Sequence, residues 1–199
     1  MRHHLILGAL ALYLVPAAWL ADTRLEAGQE TTQAEAVSAE LRTMYEADQQ
    51  DRRAGVATTP EAWKGIQARD RERRDRVLEL TRGAQLRTAD DYYHAAMVLQ
   101  HGDGSEDILI AHILATAAAF KGHERARWLS AAALDRYLHR TGAPQRLGTQ
   151  YVRPPPDGPW SQGAYERWLP DTVRAEFGVP PLEAQQQRVQ KLNAPSGGR

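Results

Sequence analysis

The sequence predicts a mainly α fold: a compact bundle of helical hairpins carrying a small two-stranded β ribbon at about 149–168. Three observations lead there. Apolar residues recur at three-and-four spacing through several long segments, as amphipathic helices require. Glycines stand where those segments should stop. One extended stretch after residue 148 faces a second across the turn-rich "RPPPDGP", the pattern of a hairpin.

The elements follow in chain order. Residues 1–21 have a basic start and an apolar run from Leu5 to Leu20, and read as a cleaved secretory signal, with an uncleaved N-terminal anchor as the alternative. The expected location is therefore exported, in the periplasm, or inner-membrane anchored if the segment is kept. Residues 22–31 are polar and read as a linker, 32–193 as a single helical domain, and 194–199 as a disordered tail.

Within the domain, Val37, Leu41, Met44 and Tyr45 define a helix from Gln33 to Arg53, and the same stripe continues to Asp48 and Arg52. Thr58 or Thr59, then Pro60 and Glu61, should restart a helix that runs to about Thr81 and ends at Gly83. Its face is Trp63, Ile66, Asp70, Arg74 and Val77. "RDRERRDR" (Arg69 to Arg76) interleaves three acids with five arginines and reads as a solvated, ion-paired helix rather than a nucleic-acid arm.

Three more helical segments follow: Ala89 to Gly102, Ser105 to Gly122 with Ser105 as N-cap, and His123 to Gly142. Alanines at 95, 96, 111, 115, 118, 126 and 132 should let their backbones approach closely. "WLSAAALDRYL" (Trp128 to Leu138) is apolar nearly all round and is expected to be central. Thr149 to Val152 and Ser161 to Trp168 form the ribbon, with Trp160, Tyr165 and Trp168 as its packing surface. Helices from Asp171 to Phe177 and Pro181 to Asn193 complete the chain, the last with Leu182, Val189 and Leu192 inward.

Composition narrows the function classes. With 25 basic and 25 acidic residues there is no net charge to favour nucleic acid or an anionic membrane. Membrane association is expected only if the N-terminal segment is uncleaved. The absence of cysteine removes disulfides, thiolate metal sites and Cys nucleophiles. No metal is expected: "HGDGSED" puts Ile108 and Leu114 where a calcium loop needs Gly and Glu, and His94 and His101 lie about 10 Å apart along one helix. No phosphate loop, Gly-x-Ser-x-Gly elbow, His-Glu-x-x-His or cofactor motif is present.

Two resemblances add to this reading. The order Ala96, Leu99, Gly102, Ala111, Leu114, Ala118, Gly122, Ala126, Leu129 resembles one Sel1-like or tetratricopeptide-type hairpin, a scaffold whose arrays are quasi-one-dimensional. "ALDRYLHRTGAPQRLGTQYV", "GVPPLEAQQQRV", "DQQDR" and "LQHGD" resemble a bacterial exported family of helical proteins, a domain of unknown function with an Asp-Arg, Gly-x-Pro-Gln, Gly-Thr-Gln signature. That resemblance implies an all-helical fold with a small extended segment and no particular chemistry.

The polar residues that need explaining are Asp48, Arg52, Asp70, His101, Asp135, Arg136, Gln145 and Gln150. They form either one internal polar network, since buried charges must be paired, or the lining of a ligand or catalytic cleft. Gln145 and Gln150 flank the turn leaving the central helix, where an amide bonds either the helix-end carbonyls or the Asp135/Arg136 pair. His101 is either a helix-end cap or a general base oriented by a carboxylate. The absence of a catalytic motif leans toward a non-enzymatic exported protein that binds another protein or peptide through the hairpin surface. A cell-envelope hydrolase using the Asp/Arg/Gln cleft and His101 is the alternative.

Overall fold

The computed structural model describes residues 17–53, 59–154 and 158–194. The expected leader or anchor (residues 1–16 of it), the helix break at 54–58, the middle of the proline turn at 155–157 and the tail at 195–199 lie outside the described residues. The fold is mainly α with one small antiparallel ribbon, as expected. Its elements are α1 (Ala17–Asp51), α2 (Pro60–Arg82), α3 (Ala89–Leu99), α4 (Ser105–Phe120), α5 (Glu124–Arg140), β1 (Tyr151–Val152), β2 (Ser161–Gln162), α6 (Asp171–Glu176) and α7 (Leu182–Asn193). Residues 22–31, expected as a linker, are helical and continuous with α1. No helix among the described residues is long and apolar enough to cross a membrane.

Helix ends follow local chemistry. The Thr59 hydroxyl accepts from the Ala62 amide at 3.1 Å, and Pro60 opens α2. Its far end comes at Gly83, as expected, where Gly83 keeps a negative φ and Ala84 takes the left-handed conformation. Thr88 and Asp91 form a reciprocal capping box at the start of α3. Ser105 is the first residue of α4 rather than its N-cap, a place held by Gly104 without a side-chain bond.

The helices pack in sequence, α1 and α2 on α3, α3 on α4, α4 on α5. The main core runs through Val37, Leu41, Val77, Leu80, Leu99 and Leu129. The alanines at 95, 96, 111, 115, 118, 126 and 132 are all buried, so these helices meet across small side chains. Fully burying one leucine or valine contributes about 1.5–3 kcal/mol. A smaller core of Ala131, Leu147 and Val179, joined by Leu134, Leu169 and Phe177, lies on another side of α5. Helix α5 therefore serves two cores, which accounts for its all-round apolar character. The helix in the middle of the α3–α4–α5 layers is α4.

Three apolar expectations are corrected. Trp63 and Trp168 are 54% and 68% exposed, and Leu192 also faces solvent. The buried residue of α7 is polar: Gln185 donates to the Leu147 and Pro180 carbonyls at 3.0 and 2.8 Å. The ribbon is shorter than expected, pairing Tyr151 with Gln162 and Val152 with Ser161.

Gly148 shapes this junction. Its φ is +82°, and a Cβ there would lie 2.5 Å from Gln162 Nε2 and 2.6 Å from Gln185 Oε1. Gly148→Ala is expected to destabilise the protein by roughly 2–3 kcal/mol, from left-handed strain and displaced junction hydrogen bonds. For a chain of this size that is a drop of roughly 4–12 °C in melting temperature, read by thermal denaturation.

Candidate active site

The eight polar residues do not form one network. They divide between two places joined by Arg136. The first is built on α1 and α2. Asp48 is in the last turn of α1 and Arg52 just past its end, one turn on, so they share a face. Arg52 lies 2.9 Å from Asp48 Oδ1 and holds Asp70 of α2 through two hydrogen bonds of 3.3 and 2.9 Å. Arg73 bridges Asp70 and Asp51 at 2.6 and 2.8 Å. The Arg69 guanidinium on Asp51 holds that carboxyl below the usual range, with Arg73 reinforcing it against burial. The arginine-rich stretch thus clamps α2 onto α1, with Arg76 paired to Glu40 in the same way.

His101, in the turn after α3, points at this assembly. Its Nδ1 is 3.1 Å from each oxygen of Asp48, whose side chain is 1% exposed. Gln49 donates to the same carboxylate at 2.8 Å. A carboxylate only accepts, so Nδ1 carries the proton and donates it to Asp48. Nε2 has no hydrogen-bond partner among the described residues and is the nitrogen left for solvent. The ring does not cap the carbonyls of α3. Gly102 beside it leaves no room for a side chain: a Cβ there would lie 2.6 Å from Asp107 Cβ.

The second place is the loop after α5. Asp135 is fully buried and accepts four hydrogen bonds: from the amides of Arg146, Leu147 and Thr149 and from the Thr149 hydroxyl, all between 2.7 and 3.0 Å. It is a staple for the loop. Gln145 and Gln150 lock the same loop from within: Gln145 Oε1 accepts from the Gln150 amide at 2.7 Å, and its Nε2 donates to the Gln150 carbonyl at 3.2 Å. Gln145 therefore bonds neither the helix-end carbonyls nor an Asp135/Arg136 pair. No such pair exists, since adjacent helical residues point about 100° apart.

Arg136 points the other way, toward His101. It donates to the Gln150 side chain at 3.1 Å and to the Gln100 carbonyl at 2.8 Å. It makes no ion pair among the described residues. Burial, and then the charges of Arg140 and Arg52, push its pKa below the ordinary arginine value.

These groups border a cleft of about 650 Å³ between α2, the turn after α3, α5 and β1. Arg52, Asp70, His101, Arg136 and Gln150 line it; Asp48 stands behind His101, while Asp135 and Gln145 lie in the loop scaffold. Sequence reasoning missed Trp63, His139 and Arg140, which also line it. The available signal for Arg140 was its spacing, one turn beyond Arg136.

Burial pushes the His101 pKa below 6.5; Asp48 opposes the shift, and Arg52 and Arg136 reinforce it. His94, stacked on Tyr45 at 4.6 Å, is also lowered, by burial first. Such histidines bind protons more readily in the unfolded chain. Their contribution is fully present above the unfolded value near 6.5 and is lost as pH falls from there toward the folded values. Melting temperature is expected to fall between pH 7 and 5, with a smaller fall in His101→Asn. A flat profile across that window would contradict this assignment.

A second histidine arrangement is structural. His112 Nδ1 is 2.9 Å from the Ser130 carbonyl and 3.2 Å from the Ser130 hydroxyl. A nitrogen that donates to a carbonyl carries the hydrogen and cannot take one from the hydroxyl. Ser130 is also buried, bonded to Thr116 at 2.8 Å. No group of three or more His, Asp or Glu among the described residues is arranged to hold a metal ion.

What the geometry provides is a histidine oriented by a buried carboxylate, opening on a cleft with arginines at its wall. Comparison with protein-family models, with curated proteins and with solved structures finds no match for this chain.

Proposed function

We propose that the cleft is a hydrolytic active site with His101 as general base. The observation that carries this reading is the Asp48–His101 pair at a cleft that Arg52, Arg136 and Arg140 also line. His101 Nε2 takes a proton from water as the water oxygen attacks the electrophilic centre of the substrate. The imidazolium then returns that proton to the leaving group. Asp48 fixes the tautomer and stabilises the transient positive ring, the role a buried carboxylate plays beside a catalytic imidazole. Charge developing on the substrate meets arginines already in place, which need no reorganisation. A lowered histidine pKa suits this role, because the base is neutral at ordinary pH.

If the N-terminal segment is an export signal, the enzyme works in the cell envelope. The test is turnover of chromogenic carboxylic esters, amides, glycosides and phosphoesters by the purified chain. Turnover of one class, lost in His101→Gln, is expected; silence across the panel would sink the proposal.

A second reading is binding of a protein or peptide on the hairpin surface. It is favoured by Ile113 and Phe120, 56% and 89% exposed and seven residues apart on one face of α4. Crosslinking pull-downs from the envelope, lost on Phe120→Ser, would support it.

A further inference from the structure

We propose that Arg136 and Arg140 form a subsite of this cleft for a phosphate monoester group, which makes the substrate class a phosphorylated small molecule. The inference rests on the hydrolytic reading for the word substrate, but the binding it asserts does not depend on turnover.

Arg52 is paired with Asp48 and Asp70, and Asp70 is shared with Arg73. Arg136 and Arg140 are different: neither makes an ion pair among the described residues. Their hydrogen bonds go to neutral oxygens. Arg136 donates to the Gln100 carbonyl and the Gln150 amide oxygen, and Arg140 donates to the Asp103 carbonyl at 3.3 Å. The charged groups acting on Arg136 are two further arginines, Arg140 and Arg52. Asp103 also lines the cleft, but its mostly exposed carboxylate is turned to Arg74, 3.9 Å away.

A largely buried cation without an anion is costly, and a protein that keeps one supplies its partner from elsewhere. The two guanidinia are one helical turn apart on the same face of α5, so they converge on one region of the cleft. Two uncompensated positive charges match a phosphate monoester, which carries about −1.5 to −2 near neutral pH. A carboxylate offers one charge and one planar fork, which a single arginine satisfies. The cleft volume of about 650 Å³ leaves room for an organic group beyond the phosphate, and exposed Trp63, on the α2 side of the cleft, offers it a flat apolar face.

The experiment is isothermal titration of the full chain with phenyl phosphate and with benzoate at matched ionic strength. Phenyl phosphate is expected to bind and benzoate to bind at least about tenfold more weakly. Arg140 is exposed and carries no core contact, so Arg140→Gln is the variant of choice. It should keep its melting temperature and lose phenyl phosphate affinity by about tenfold or more. Arg136→Gln should lose as much, and His101→Gln should keep its binding. No phenyl phosphate binding, equal binding of benzoate, or affinity unchanged in Arg140→Gln would each overturn the subsite. Phenyl phosphate binding with no turnover of any ester class would remove the hydrolytic reading and leave the subsite standing. Turnover of uncharged esters with no phosphate binding would do the reverse.

Discussion

Asp135→Ala is expected to be the most destabilising single change in the domain, at roughly 3–5 kcal/mol. The carboxylate is fully buried and receives three backbone amides and one hydroxyl from residues 146–149. Alanine takes the acceptor from all four donors, and each buried unsatisfied donor costs about 1–3 kcal/mol. The loop it staples also carries Leu147 into the smaller core and Gln150 onto Arg136, so both are affected. Asp135→Asn retains one acceptor oxygen and turns an NH2 toward donors, and should cost about half as much. Thermal denaturation reads the result: roughly 6–20 °C lost for alanine, given the size of the chain. A change of one or two degrees would show that the loop holds its conformation without the staple.

The second large effect is catalytic. His101→Gln is expected to lower turnover of whichever ester class the chain hydrolyses by roughly 10²–10⁴-fold, the usual contribution of a positioned general base. Stability should change far less, because His101 is half-buried at the cleft and makes one side-chain bond. Asp48→Asn is the companion. Asparagine keeps the shape but can present its NH2 to His101 Nδ1, which favours the wrong tautomer and takes the base away from the cleft. It should lower turnover similarly, and it also leaves Arg52 with Asp70 as its one carboxylate partner, so a loss of stability accompanies it. Equal activity in wild type and His101→Gln would move the chemistry away from this histidine. The pH profile offers an independent check: with a lowered His101 pKa, activity should persist below pH 6.5 before it falls.

Several parts of the site were legible because they obey helical periodicity. Asp48 and Arg52 continue the apolar stripe of α1, and Asp70 sits on the stripe of α2, so all three had to turn inward once the helices packed. That is why the sequence places them beside one another with no knowledge of the fold. The same logic misled at Trp63, also on the α2 stripe. It lies in the first turn of α2, at the cleft, so it is exposed. Leu192, near the end of α7, fails for a similar reason, while the buried position of that helix goes to Gln185, whose amide donates to the Leu147 and Pro180 carbonyls.

The division of the polar residues into a scaffold and a cleft was not legible. Asp135 and Arg136 are adjacent in the chain and look like a pair, yet the helical twist sends one to the 146–149 loop and the other to the cleft. The partners of Asp135 are backbone amides, which every residue carries and no sequence pattern marks. The partner of His101 lies 53 residues away on α1, brought near only when α1 packs against α3.

Periodicity, glycine stops and composition therefore determined the helical class, the approximate limits of most helices, the alanine-lined packing and the inward turn of Asp48, Asp135 and Gln145, because these depend on contacts within a few turns. Tertiary structure alone decided which of those residues face one another, which face solvent, and that Arg136 and Arg140 line the cleft with no carboxylate paired to them among the described residues. Those facts depend on where distant helices cross and on which way each side chain leaves its helix.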